Sequence, residues 1–167
     1  MAYSGEILDQ CGLITIDCSR IAVVAVSGDG PNLCGHLLLY TGPGRGGYYF
    51  HVAEFRGAPR YLSESGYQRY LREAGKTELR RRYLSLPNPQ GALLYLEGLM
   101  AGTWTWLVLP NNCVAFVEEV IRAGGGTWSS YSNCPDLATR DTLAQRITRF
   151  LGQLEGEIYR LYGAPGF

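Results

Sequence analysis

Apolar positions along this chain fall into two kinds of run, and the difference between them predicts the elements. Residues 21–26, IAVVAV, are continuous and rich in β-branched side chains, and SGDGPN follows them. They predict a buried strand closed by a turn. A shorter strand is expected before it, at residues 13–16. GHLLLY (35–40) and YYFHVAEF (48–55) flank the turn-rich TGPGRGG and predict a β-hairpin with a glycine-rich loop. The loop carries an imperfect GxGxxG, but no helical pattern follows it, so it does not read as a phosphate cradle.

The second kind of run has helical spacing. In residues 64–84, Tyr67, Tyr70, Leu71, Leu79 and Tyr83 stand on a charged background and predict one or two surface helices, with Arg80, Arg81 and Arg82 on a solvated face. LPNPQG then breaks the chain. ALLYLEGLM (92–100) predicts a short buried helix, and WTWLVL (104–109) an extended segment. In LPNNCVAFVEEVIRAG (109–124), Asn111 or Asn112 supplies an N-cap, and Phe116, Val117, Val120 and Ile121 form the buried stripe. Gly124 to Gly126 supply the stop. After the loop SSYSNCPDL, a stripe from Leu143 through Ile147, Phe150, Leu154 and Ile158 to Leu161 predicts an amphipathic helix over about residues 139–162, read as core packing. No repeat, low-complexity segment or linker interrupts the pattern. The expected fold class is α+β, an antiparallel sheet packed against helices, in a single domain spanning residues 1–167.

Composition narrows the function. Fifteen basic and fifteen acidic residues cancel, which removes the broad positive field that general nucleic-acid binding needs. Lys76 is the only lysine, a usage associated with high-GC bacterial genomes. Five cysteines (Cys11, Cys18, Cys34, Cys113, Cys134) are an odd number in a chain large enough to fold without bridges, so at least one thiol is free or paired between chains. There is no C-x-x-C, and fourteen residues separate the two histidines, so neither a metal nor a cofactor is expected. MAYSGEILDQ lacks the basic-then-apolar form of a signal peptide, and no stretch is apolar enough to span a bilayer. The chain is expected to be cytoplasmic when made.

The chemistry centres on Cys113. It stands at the first turn of the 109–124 helix, on the buried stripe and at the positive end of the helix dipole. Two readings are open: a small core residue, or a nucleophile whose thiolate the helix start favours. The two histidines, His36 and His51, fall in the two strands of one hairpin. A loop centred near Pro43 and Gly44 places opposite each other positions whose numbers sum to 87, which sets His36 across from His51 on one face. Brought to Cys113, one imidazole would take the thiol proton and the other would hold the first in its tautomer. That is the logic of a nucleophile–base–orienter triad. Tyr40 and Trp106 are candidate pocket walls. The Cys113 backbone N–H, with Asn112 as a second donor or simply as helix cap, is the candidate oxyanion hole. Cys34 is expected as a buried spectator, and Cys11, Cys18 and Cys134 show no pairing pattern.

The order GHLLLYTG, then HVAE, then PNNCVAFVEEV resembles the circularly permuted branch of the papain-like superfamily, which includes lecithin:retinol acyltransferase-like enzymes and their bacterial NlpC-related relatives. The resemblance spans roughly residues 33–123, and rests on His36 with Tyr40, on His51, and on Asn112 with Cys113. It implies a permuted papain-like fold and a Cys-His-His triad with His36 as base and His51 as orienting residue. It also implies a thioester acyl-enzyme on Cys113 formed from an ester or amide. VAF follows the cysteine where several acyltransferase members carry Glu-His-Phe, so the substrate stays open between a lipid acyl chain, with peripheral membrane contact, and a peptide bond. The alternatives are a peptidase or isopeptidase acting on protein or peptidoglycan, and a catalytically inactive binding module. Because the resembling proteins include toxins passed between bacteria, the resemblance further implies an antibacterial effector exported by a signal-independent machine. An immunity protein over the cleft is the matching partner.

Overall fold

The computed structural model describes residues 2–8, 14–28, 35–42, 46–54, 56–105 and 112–127. The chain divides into two units, Met1–Asn133 and Cys134–Phe167, and every described residue belongs to the first. Trp106, the loop tip at 43–45, the cysteines other than Cys18 and Cys113, and the expected helix at 139–162 lie outside the described residues.

The strands are β1 (Glu6–Ile7), β2 (Ile21–Val26), β3 (His36–Thr41), β4 (Tyr48–His51), β5 (Arg56–Gly57), β6 (Arg60–Leu62), β7 (Glu78–Leu84) and β8 (Trp104–Thr105). The helices are α1 (Glu64–Glu73), α2 (Pro89–Met100) and α3 (Cys113–Ala123). Six strands form one sheet in the order β1-β6-β4-β3-β2-β7, every neighbouring pair antiparallel, and β5 pairs with β8 separately. The architecture is α+β, and among the described residues no helix is long and apolar enough to cross a membrane.

All six residues of β2 are buried because each face of the sheet carries its own core. Side chains alternate along a strand, so one set (Val23, Ala25, Leu37, Leu39, Phe50) packs against α2 and α3 through Leu96, Phe116, Val117 and Val120. The other set (Ala22, Val24, Val26, Leu38, Tyr40, Tyr49) packs against Tyr67 and Tyr70 of α1. The continuous apolar run of β2 follows from this two-sided burial.

Local chemistry explains the helix ends. Ser63 caps α1 by accepting from the Gly66 N–H at 3.2 Å. At its far end Gly75, with φ of +61°, lets the Lys76 N–H turn back to the Leu71 carbonyl at 2.8 Å. Asn88 caps α2 by accepting from the Gly91 N–H at 3.0 Å, with Pro89 as first residue. This helix therefore starts inside the stretch expected to be a break, since a proline at the first position needs no N–H partner.

Four expectations need correction. Residues 64–84 are not all helical: α1 ends at Glu73 and residues 78–84 are the edge strand β7. The four-residue spacing of Leu79 and Tyr83 imitates a helical stripe, but both are exposed, at 59% and 47%. What forms the strand is the edge of β2, whose backbone groups take Leu84, Tyr83, Arg82, Arg81 and Arg80 as ladder partners. Residues 14–16 are not a strand, and β4 stops at His51 rather than running to residue 55. The hairpin register also differs from expectation. Leu39 pairs with Phe50 and Tyr40 with Tyr49, which levels Leu38 with His51. The shift is by two residues, so the face of each side chain is preserved while the two histidines become diagonal neighbours.

Candidate active site

The geometry starts with two imidazoles. His36 opens β3 and His51 closes β4, and His36 Nε2 lies 2.9 Å from His51 Nδ1, with the rings edge-to-face at 5.1 Å between centroids. His51 Nε2 lies 2.9 Å from the main-chain carbonyl of Ser4. A carbonyl only accepts, so His51 Nε2 must carry its proton, and in the neutral ring Nδ1 then accepts. It follows that His36 Nε2–H donates to His51, and that Nδ1 is the His36 nitrogen holding a lone pair. Two hydrogen bonds thus order both tautomers from one backbone oxygen.

Burial keeps this pair uncharged. His51 is 1% exposed, and its ring lies 5.4 Å from that of Tyr70, centroid to centroid. Burial lowers the His51 pKa to about 4, against the upward pull of the Ser4 carbonyl, and the Arg60 and Lys76 cations lower it further. His36 is held well below 6.5 by burial, then by His51 and Lys76. Lys76 was visible in the sequence only as a rare residue. Its ammonium bonds the Ser27 carbonyl at 3.3 Å, one residue past the Val26 that pairs with His36. The Ser4 carbonyl left no sequence signal at all, because a main-chain oxygen has no side-chain identity.

Cys113 occupies the first turn of α3, as the helical pattern predicts. Asn112 is the helix cap: its Oδ1 accepts from the N–H groups of Val114 at 2.9 Å and Ala115 at 3.0 Å. Val114 and Cys113 pack at the margin of the α3-side core, and Cys113 and Cys18 are both thiols. The sulfur meets β3 through the backbone N–H of Leu37, the residue after His36. Burial raises the Cys113 pKa, and the N–H groups of Leu37, Cys113 and Val114 only partly oppose that rise. The resting thiol is therefore neutral, and the helix start by itself does not make it a thiolate.

The structure thus joins His36 to His51 directly, on the α1 face of the sheet. It sets Cys113 on the α3 side, one residue along β3. Leu37 belongs to the α3 side and His36 follows the alternation of Leu38 and Tyr40, so thiol and imidazoles approach the same strand end from two faces.

Tyr40 is 1% exposed and packs inside the α1-side core. It belongs to a tyrosine stack sealed by Arg81, whose guanidinium lies 5.3 Å from the centroids of both Tyr40 and Tyr49. Tyr49 and Tyr67 stack at 4.0 Å with a 10° interplanar angle. Arg81 donates to Glu78 at 2.8 Å and to the Tyr49 hydroxyl at 2.9 Å, and the Tyr67 hydroxyl donates to Glu78 at 2.7 Å. Of the three successive arginines, Arg80 and Arg82 are exposed while Arg81 is half-buried, as strand alternation requires. Among the described residues no three His, Cys, Asp or Glu side chains gather as a metal site would need. Comparison with protein-family models, with curated proteins and with solved structures finds no match to this chain.

Proposed function

We propose that this chain is a thiol-dependent hydrolase or acyltransferase in which Cys113 forms a thioester with the acyl group of an ester or amide. The observation that carries the reading is the ordered chain from the Ser4 carbonyl through His51 to His36, which fixes the His36 lone pair on Nδ1, with Cys113 packed from the other side of the sheet near the same end of β3. A buried imidazole pair with one fixed tautomer has no packing purpose that an apolar pair would not serve at lower desolvation cost.

Both partners rest neutral, so proton transfer accompanies attack instead of preceding it. His36 Nδ1 takes the thiol proton as Sγ bonds the carbonyl carbon, and the carbonyl π pair moves to oxygen. The Cys113 backbone N–H, at the open end of α3, donates to that oxygen. Collapse of the tetrahedral species re-forms the carbonyl and expels the alcohol or amine, which takes the proton from His36. Water or an acceptor hydroxyl then gives its proton to His36 as it attacks the thioester, and Sγ leaves with that proton, which restores the neutral thiol and imidazole. His51 holds the His36 ring in orientation and shares the charge of the transient imidazolium.

The test is acyl trapping. The protein is mixed with p-nitrophenyl acetate and p-nitrophenyl octanoate, nitrophenolate release is followed, and the modified residue is located by mass spectrometry. One acyl group on Cys113, absent in Cys113→Ala and in His36→Ala, is expected. Acylation spread over several cysteines, or unchanged in His36→Ala, sinks the reading.

A further inference from the structure

We propose that residues 3–7 are the positioning element of the histidine pair, with the Ser4 main-chain carbonyl deciding which nitrogen of His51, and through it of His36, bears the proton. The inference rests on the assignment of His36 as base and adds a part of the site that neither strand of the hairpin supplies.

Contacts from β6 and α1, and one within it, hold this segment in place. Glu6 and Ile7 form β1 and pair with Tyr61 and Arg60 of β6. The Tyr3 N–H donates to Glu73 at 2.8 Å, at the end of α1, and the Tyr3 hydroxyl donates to Glu6 at 3.0 Å. The Arg69 guanidinium covers the Tyr3 ring at 4.3 Å. Finally, Arg60 Nη1 donates to the Gly5 carbonyl at 3.1 Å.

Gly5 is what aims the carbonyls. In a regular strand successive carbonyls point to opposite sides, yet those of Ser4 and Gly5 serve His51 and Arg60, which are ladder partners. A φ of +106° at Gly5 makes this possible, and an added Cβ there would meet the Tyr61 carbonyl oxygen at 2.8 Å and Leu62 Cδ2 at 3.0 Å. The chain is bent, at a residue that only glycine suits, so that one backbone oxygen faces an imidazole. The groups around His51 are His36 from β3, Arg60 from β6, Tyr70 from α1 and Lys76 after it. None of these supplies a backbone acceptor, so the segment makes a contribution of its own.

Substituting Ser4 would leave its carbonyl in place, so the segment itself must be moved. The experiment compares ring-nitrogen correlation spectra of the two histidines in the native chain, in a deletion of residues 2–5, and in Gly5→Ala. The point variant serves where the deletion does not fold, because alanine cannot hold the position of Gly5. In the native chain both rings should show a single tautomer with the proton on Nε2 and slow exchange of both ring protons. Displacing the segment should release the His51 Nε2 proton to exchange roughly tenfold faster, the factor a single lost hydrogen bond commands, and should introduce the Nδ1–H form into His36 as well. The change at His36 is what a purely structural role would not produce. Unaltered ring spectra in the folded 2–5 deletion, or in Gly5→Ala where the deletion does not fold, would overturn the proposal. The spectra need neither substrate nor thiol. Rings that respond while Cys113 takes no acyl group therefore support the positioning role and count only against the thiol reading.

Discussion

His36 and His51 share a hydrogen bond of 2.9 Å although the ladder of β3 and β4 levels His51 with Leu38, two residues from His36. A diagonal pair on one sheet face brings long side chains end to end instead of stacking them. That geometry suits a relay, because Nε2 of one ring meets Nδ1 of the other and the line continues to the Ser4 carbonyl.

The pair should make stability depend on pH. His51 has its pKa lowered to about 4 from 6.5, and His36 is lowered as well, so between these values the unfolded chain binds protons that the folded chain refuses. Stability is therefore complete above pH 6.5 and falls as pH drops toward 5, by up to about 1.4 kcal/mol per pH unit for each ring. Urea unfolding at pH 5 to 7 should show this slope, reduced by about half in His51→Gln. A slope identical in the variant would count against burial of a neutral ring.

Cys113 should behave as a protected thiol. Burial holds its pKa up, so at pH 7 alkylation by iodoacetamide should be at least about tenfold slower in the folded protein than in urea, rising only in the alkaline range. Cys18, 3% exposed and with its pKa raised to about 11, should label more slowly still. Selective labelling of native Cys113 near pH 6 would reveal a resting thiolate–imidazolium pair and refute the neutral resting state.

Asn112 should act on stability through its cap. Asn112→Ala removes the acceptor for two helix N–H groups and should cost about 1 kcal/mol, within a range of roughly 0.5–2, whereas Asn112→Asp keeps the cap. Equal destabilisation by both variants would show that the amide group, not the capping oxygen, is what α3 needs.

The three successive arginines should separate sharply. Arg81→Ala removes the cation paired with Glu78, leaving it only the Tyr67 hydroxyl, and uncovers the Tyr40–Tyr49–Tyr67 stack, for an expected loss of about 1–3 kcal/mol. Arg80→Ala and Arg82→Ala should stay within about 0.5 kcal/mol of the parent protein. Similar values for all three in urea titrations would restore the reading of a uniformly solvated face.

Long, strongly patterned segments were legible from the chain alone. IAVVAV reads as a buried strand, and NNCVAFVEEVIRAG as a capped helix with Cys113 at its first turn, because burial and capping are encoded within a few residues. The hairpin and the common face of its histidines were also legible, since strand alternation survives a register error of two. β7 was not, because an edge strand takes its conformation from the hydrogen-bonding groups of its neighbour and leaves its outward side chains free to be polar. β1, β5 and β6 are too short to show any period.

The sequence by itself determined which chemical groups this protein has: two imidazoles on one sheet face and a thiol opening a helix. Tertiary structure alone decided their state. Burial made thiol and imidazoles neutral, sheet register made the histidines diagonal, and a glycine-bent backbone carbonyl from residue 4 chose their tautomers. Desolvation and hydrogen-bond direction depend on what the rest of the chain places around a group, so no local pattern can encode them.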